Sequence, residues 1–327
     1  MKKMLFTLIF AICYANNTEL LEKAQELEEA KDYKGAMLIY KQIAKENSQK
    51  VLEKNILETN NLENFKKEIF VENIDKTEDQ ETNDNLEQLV TKDFGIYPYK
   101  KNYFLPATYT FNDINGRDKF ETSFQISLEK PISHNFFGFG EIFSLAYTQK
   151  SFWQTAEDSA PFRESNYEPE FFVQVPINNK YLKLSKLSIM HSSNGKSGDE
   201  SRSLNRIYLQ NILQFGNIFI TPRIWYRIPE NSKNDDNKDF YKYYGYGDLN
   251  ILYAHKKHTF ELLLRDNLRF DSSNKGAVEF NWSFPLPEFI ASKNTFGIFQ
   301  VFHGYGQSLM DYDREVTNIG LGLVFSR

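Results

Sequence analysis

Residues 218–228 read Ile-Phe-Ile-Thr-Pro-Arg-Ile-Trp-Tyr-Arg-Ile, and this stretch decides the fold. Ile218, Ile220, Ile224 and Ile228 fall on one side of a two-residue period, with Thr221, Arg223 and Arg227 on the other. Successive strand side chains point to opposite faces, so one face is apolar and the other carries two guanidinium groups. The pattern recurs. Phe260, Leu262 and Leu264 oppose Glu261 and Arg265, and Ile319, Leu321, Leu323 and Phe325 oppose Asn318, Gly320 and Gly322. Charge on the minority face suits the polar interior of an outer-membrane barrel and not the core of a soluble sandwich. The two arginines are then expected to pair with interior carboxylates.

Working outward, strand-like segments run from residue 94 to 327, near 102–112, 117–130, 136–150, 167–176, 180–192, 203–214, 217–228, 241–254, 258–266, 276–285, 295–304 and 316–325. Turns rich in Asn, Asp, Gly, Ser or Lys join them. The expected fold is all-β: an antiparallel transmembrane β-barrel of about twelve strands with a short α-helical N-terminal appendage. A hydrophobic content of 41% and a mean hydropathy of −0.55 look water-soluble. No apolar run approaches the roughly eighteen residues of a membrane helix. Barrel strands average their hydropathy away, however, and 29 Phe and 19 Tyr can furnish interfacial girdles. A soluble β-sandwich is the alternative architecture.

Residues 1–15 read as a secretory signal: Lys2 and Lys3, an apolar stretch from Leu5 to Ile12, then Cys13-Tyr14-Ala15. Cys13 is the single cysteine, so a processed chain has no thiol for disulfides or nucleophilic catalysis. Residues 16–48 take helical spacing, with Ala24 and Leu27, then Ala36, Ile39, Tyr40 and Ile43 beyond Asp32-Tyr33. They resemble one tetratricopeptide unit, a helical hairpin with a possible unknown partner. Residues 49–93 form a polar linker rich in Asn, Glu, Asp and Lys. A net charge of −5 and a pI near 5.7 argue against nucleic acid as a partner.

The same alternation picks out candidate chemistry. Leu187, Ile189, His191 and Ser193 share one face of their strand, and Asn205, Ile207, Leu209 and Leu213 share one face of the next. The apolar members predict the lipid-facing side, so His191, Ser193 and Asn205 project outward. Polar groups there are costly without a task, and hydrolysis of the surrounding lipid is a natural one. Serine needs a base within reach, a role for His191, and Asn205 can hold the imidazole tautomer. Because Asn205 is neutral, the oxyanion needs help from backbone N–H groups or a metal. Gly195 lets the backbone approach. The oxygen-rich loop Lys196–Ser201, with Ser197, Asp199 and Glu200, suits a hard cation such as calcium.

The run His191-Ser-Ser-Asn-Gly-Lys-Ser followed by Ser201-Arg-Ser-Leu-Asn-Arg resembles the signature of the outer membrane phospholipase A family. Tyr147–Gln154, Pro161–Pro169, Tyr97-Pro98-Tyr99 and Gly304–Tyr312 are similar to the same family, and the resemblance covers residues 94–327. It implies a twelve-stranded barrel that hydrolyses phospholipid acyl esters, depends on calcium and acts as a dimer. It further implies Ser193 as nucleophile, His191 as base, Asn205 as orienter and Gly195 as oxyanion donor. Ser201 and the carbonyl of Lys196 match calcium ligands, and Ser159 matches the one given by a partner subunit. Gln149 matches a polar residue pairing across the dimer interface, and Asp236 an acidic calcium position of the monomer.

Three departures stand out. Gly198-Asp199 replaces the family's Asp-Pro, which shifts the acidic position by one; the loop between Gln154 and Pro161 is shortened; and Phe325-Ser326-Arg327 replaces a terminal aromatic. Elsewhere, His255 and His258 form a His-x-x-His pair in a Lys-rich turn, read as solvated and not as a metal site. His134 and His303 stand alone. No Gly-x-Ser-x-Gly elbow, phosphate loop or dinucleotide fingerprint occurs. A non-enzymatic pore or adhesion barrel, or a periplasmic scaffold working through its N-terminal hairpin, are the competing functions.

Overall fold

Two-residue alternation becomes a closed ring of strands in the computed structural model, which describes residues 20, 22–43, 78–80, 82–83, 95–114, 117–231, 235–287 and 295–327. The strands are β1 (Tyr97–Pro98), β2 (Asn102–Thr110), β3 (Phe120–His134), β4 (Ile142–Trp153), β5 (Phe162–Pro176), β6 (Leu182–Ser193) and β7 (Ser203–Phe215). They continue as β8 (Ile218–Ile228), β9 (Gly247–His255), β10 (His258–Asp266), β11 (Gly276–Pro285), β12 (Phe296–Tyr305) and β13 (Glu315–Ser326). From β2 onward each pairs antiparallel with the next, and β13 returns to β2. The short β1 pairs with β3 through Tyr97↔Glu129, beyond the residues of β3 that β2 reaches, so β1 and β2 share one place and the barrel counts twelve. Among the described residues no helix is long and apolar enough to cross a membrane.

Burial follows the predicted faces. On β6, Leu187 and Ile189 are half exposed, while Lys186, Ser188 and Met190, which alternate with them, are buried. On β8, Ile224 and Tyr226 face out, and Trp225 is buried. The interior is polar and paired, as the two arginines of β8 required. Arg223 meets Asp248 at 3.1 Å, and Arg227 meets Asp235 at 2.7 Å. Deeper, Arg163 bonds Glu121 at 2.6 Å and Asp311 at 2.9 Å, and Arg117 bonds the same two carboxylates at 2.7 and 3.0 Å. All four side chains are nearly inaccessible, so removing one carboxylate strands charge at a cost of about 3–5 kcal/mol. A cavity of ≈ 570 Å³ lies among interior charged residues, including Lys100, Glu168, Lys186 and Glu261. It sits inside the wall and not on its lipid face.

The two-residue turns 216–217 and 256–257 lie at one end of the barrel, and the loops 194–202, 267–275 and 306–314 at the other. At the short-turn end Tyr253, Phe260 and Trp282 stack in a row with centroids 6.2 Å apart, an interfacial aromatic girdle. Trp282 donates its indole N–H to His258 Nδ1 at 3.2 Å, which draws the His-x-x-His turn into that girdle. No cluster of three or more His, Cys, Asp or Glu residues able to hold a metal occurs among the described residues.

Several strand boundaries differ from the sequence reading: β3 runs on to His134, β5 begins early at Phe162, and two expected strand starts are not strand. Residues 241–246 do not continue β9: Tyr241–Tyr244 is a helical turn, followed by Gly245 at φ +61°. Phe240 and Tyr244, four apart, stack at 3.9 Å in a buried cluster with Tyr312, and helical spacing wins over alternation. Residues 136–141 are a turn and not the start of β4, because Glu141 accepts the N–H groups of Phe137 and Phe139 at 2.5 and 3.0 Å.

The chain divides into two units, Met1–Lys92 and Asp93–Arg327. In the first, residues 22–29 and 33–43 are helical about a break at 30–32. Asp32 caps the second helix by accepting Gly35 N–H at 3.1 Å, and Ala24, Ala36 and Ile43 are buried. The expected signal at 1–15 and nearly all of the expected linker at 49–93 lie outside the described residues.

Candidate active site

The β6–β7 ladder sets the site's geometry before any side chain does. Its register places His191 opposite Asn205, and Ser193 opposite Ser203 on one side and Tyr167 on the other. His191 Nδ1 lies 2.9 Å from Asn205 Oδ1. His191 is exposed, Ser193 and Asn205 are half-buried, and the outward Ile189 and Ile207 form the next rung along the same face. Ser193 sits two residues beyond His191, roughly 7 Å along the strand, a span their two side chains can bridge. Base, orienter and nucleophile candidate thus share one lipid-facing patch.

The turn after Ser193 is built around Asn194. Its Oδ1 accepts the N–H groups of Lys196 and Arg202 at 3.3 and 3.0 Å, and its Nδ2 donates to the Glu200 carbonyl at 2.8 Å. Asn194 is buried, so these bonds fix the loop from within. Gly195 follows with φ +64°, a conformation that favours glycine, and donates its N–H to Ser193 Oγ at 3.1 Å. A donor that close to the attacking oxygen is also close to where an oxyanion would develop.

Oxygen donors collect beside this turn. Ser201 Oγ donates to Asp236 Oδ2 at 2.7 Å, and Asp236 Oδ1 accepts Ser203 N–H at 3.1 Å. Lys196 Nζ binds Glu200 at 2.6 Å; that hydrogen bond holds the Glu200 carboxyl below its usual range and occupies it. Ser201, Asp236 and the Lys196 carbonyl remain as hard oxygen donors, the set that calcium prefers. Ser159 lies apart, in the β4–β5 turn at φ +65°, and no hydrogen bond among the described residues joins it to the Lys196–Ser201 loop. Gln149 is on the outward face of β4, accepting from Tyr147 OH at 3.1 Å and donating to Ser151 Oγ at 3.0 Å.

Two neighbours escaped the sequence reading. Tyr167 stands beside Gly195, where a Cβ would lie 3.0 Å from its Cε2. Glu230, two residues past β8, accepts from Asn205 Nδ2 at 3.2 Å. Spacing gives no signal for either, since register between strands brings them in.

Residues 78–325 match the family model described as Phospholipase A1. The chain belongs to that family. The phospholipase A1 of Proteus vulgaris is 34% identical over 259 residues, covering 74% of this chain and 85% of the relative. That of Escherichia coli (strain K12) is 31% identical over 258 residues, with 74% and 85% covered. The crystal structure of the Salmonella typhi outer membrane phospholipase dimer with bound calcium superposes with a TM-score of 0.65 at 32% identity, covering 71% of this chain and 93% of that one. The Escherichia coli outer membrane phospholipase A superposes with the same TM-score, covering 92% of its chain. As a phospholipase A1 family member this barrel is a carboxylic ester hydrolase of the bacterial outer membrane.

Proposed function

We propose that this chain is a calcium-dependent outer-membrane phospholipase, active as a homodimer, that cleaves acyl esters of phospholipids (A1, A2 and lysophospholipase type) with a Ser193–His191–Asn205 triad. The observation that carries it is the 2.9 Å contact of His191 Nδ1 with Asn205 Oδ1 on a lipid-facing wall, one rung from Ser193.

An amide oxygen only accepts, so His191 carries its proton on Nδ1 and keeps Nε2 free as the base. His191 Nε2 takes the Ser193 proton as Oγ attacks the ester carbonyl. The tetrahedral oxyanion draws the N–H of Gly195. His191 then protonates the leaving glycerol oxygen, which departs with the lysolipid. Water, deprotonated by the same Nε2, attacks the acyl-serine, and His191 returns that proton to Ser193 Oγ as the fatty acid leaves. Asn205 keeps the imidazole oriented throughout. Apolar neighbours such as Ile189 and Ile207 let acyl chains lie against the wall while the ester reaches its rim.

Residues that would hold calcium are Ser201, the Lys196 carbonyl and Ser159 of the partner subunit, with Asp236 in the monomer. When bound, calcium supplies positive charge near the developing oxyanion. Gln149 would pair with its counterpart across the interface.

Fatty-acid release from phospholipid in detergent, with calcium or chelator, tests this reading in wild type and Ser193→Ala. Release by wild type with calcium alone supports it. Equal release by Ser193→Ala, or none by folded wild type with calcium, would sink it.

A further inference from the structure

One amide joins the candidate base to a carboxylate. Asn205 Oδ1 meets His191 Nδ1 at 2.9 Å while Asn205 Nδ2 donates to Glu230 Oε1 at 3.2 Å. An ionised carboxylate offers acceptors only, so it selects the NH2 end of the amide. Flipped, Asn205 would set its oxygen against Glu230 and turn its NH2 toward the histidine, which would hold Nδ1 without a proton and leave Nε2 protonated. The base would then be blocked. Charge adds to orientation: Asn205 is neutral, and a carboxylate at its far end polarises the amide toward a developing imidazolium.

We infer that Glu230 is a positioning residue for the phospholipase reaction: it fixes the Asn205 amide in the one orientation that keeps His191 Nε2 basic, and it supplies the negative charge that a neutral orienter lacks. This rests on the triad reading above. Glu230 is reached from β8 through Ile228-Pro229, and Ile228 lies directly opposite Asn205 in the ladder, so backbone register holds the contact.

The charged groups around Glu230 are committed elsewhere. Arg227 is held by Asp235 at 2.7 Å and by the Asn237 carbonyl at 3.0 Å. Asp236 accepts from Ser201 and Ser203. Burial lifts the Glu230 carboxyl above its usual range; Arg227 and the Asn205 hydrogen bond oppose the lift, and Asp235 and Asp236 add to it.

A double-mutant cycle tests the inference. Rates are measured in mixed micelles of phosphatidylcholine and detergent, over a calcium series extending well beyond wild-type saturation, for full-length wild type, Glu230→Gln, Asn205→Ala and the double variant. Folding is checked by heat-modifiable gel migration. Glu230→Gln is expected to lower kcat about tenfold with KM within about twofold, and to have no further effect once Asn205→Ala is present. Wild-type kcat in Glu230→Gln overturns the inference, as does an equal loss in both backgrounds. A deficit that disappears at higher calcium overturns it too, because Glu230 would then serve the Asp236 loop. Ser193→Ala separates the two levels. If it stays active, the triad reading itself falls; if it is inactive while Glu230→Gln is unimpaired, only the role of Glu230 falls.

Discussion

A Cβ placed on Gly195 would lie 3.0 Å from Cε2 of Tyr167, the residue paired with Ser193 across the β5–β6 ladder. The edge of the ring therefore lies against the glycine that carries the candidate oxyanion donor. Gly195→Ala meets this contact and a φ of +64° together, at a backbone cost of about 1–2 kcal/mol. The strain is expected to displace the N–H and lower kcat about 100-fold or more, the scale of a lost oxyanion donor. Steady-state kinetics on variant that migrates as folded barrel checks it; a rate within twofold of wild type would contradict it.

Ser201 and Asp236 hold one another at 2.7 Å, and both are candidate calcium donors. Asp236→Asn keeps an acceptor for the Ser203 N–H but removes the charge. Calcium half-saturation of activity is expected to rise about tenfold, with kcat recovered at high calcium. A calcium titration of lipid hydrolysis reads both, and an unchanged midpoint would remove Asp236 from the site.

Gln149 spends its hydrogen bonds on Tyr147 and Ser151 within its own strand. Pairing with a second copy would exchange these for bonds across the interface, so the expected net gain is modest, near 1 kcal/mol. Gln149→Ala should weaken dimerisation about fivefold in detergent, as read by sedimentation equilibrium. An unaltered dimer constant would place the interface elsewhere.

Backbone N–H groups of Phe137, and then of Phe139, hold the Glu141 carboxyl below its usual range. A depressed folded-state pKa gives stability that is present above the unfolded value and lost as pH falls through the folded one. Glu141→Gln should therefore melt below wild type at neutral pH, and the gap should close on acidification past the ordinary glutamate range. Thermal unfolding followed at several pH values tests this. A gap independent of pH would assign the loss to packing in the 135–141 turn.

Much of this barrel was legible because lipid outside and charge inside impose a period of two. Arg223 and Arg227 sit on the minority face of β8 and find Asp248 and Asp235 there. Legibility failed where aromatics satisfy two periods at once. Phe240 and Tyr244 pack at helical spacing within a run that also alternates, and only their burial with Tyr312 settles it. At the site, His191 and Ser193 were readable as neighbours on one strand face. Glu230 was not, since 25 residues separate it from Asn205 and only the β7–β8 register closes that distance.

Arg163 reaches Glu121 on β3, 42 residues back, and Asp311, 148 residues ahead and just before β13. Arg117 binds the same pair. A partly built ring that lacks its final hairpin would hold both guanidinium groups with one carboxylate fewer, in a space where unpaired charge is costly. Such an intermediate is not merely open along one edge; it is electrically unfinished. The interior thus works as a check on completeness, favouring only the chain whose first and last strands have met.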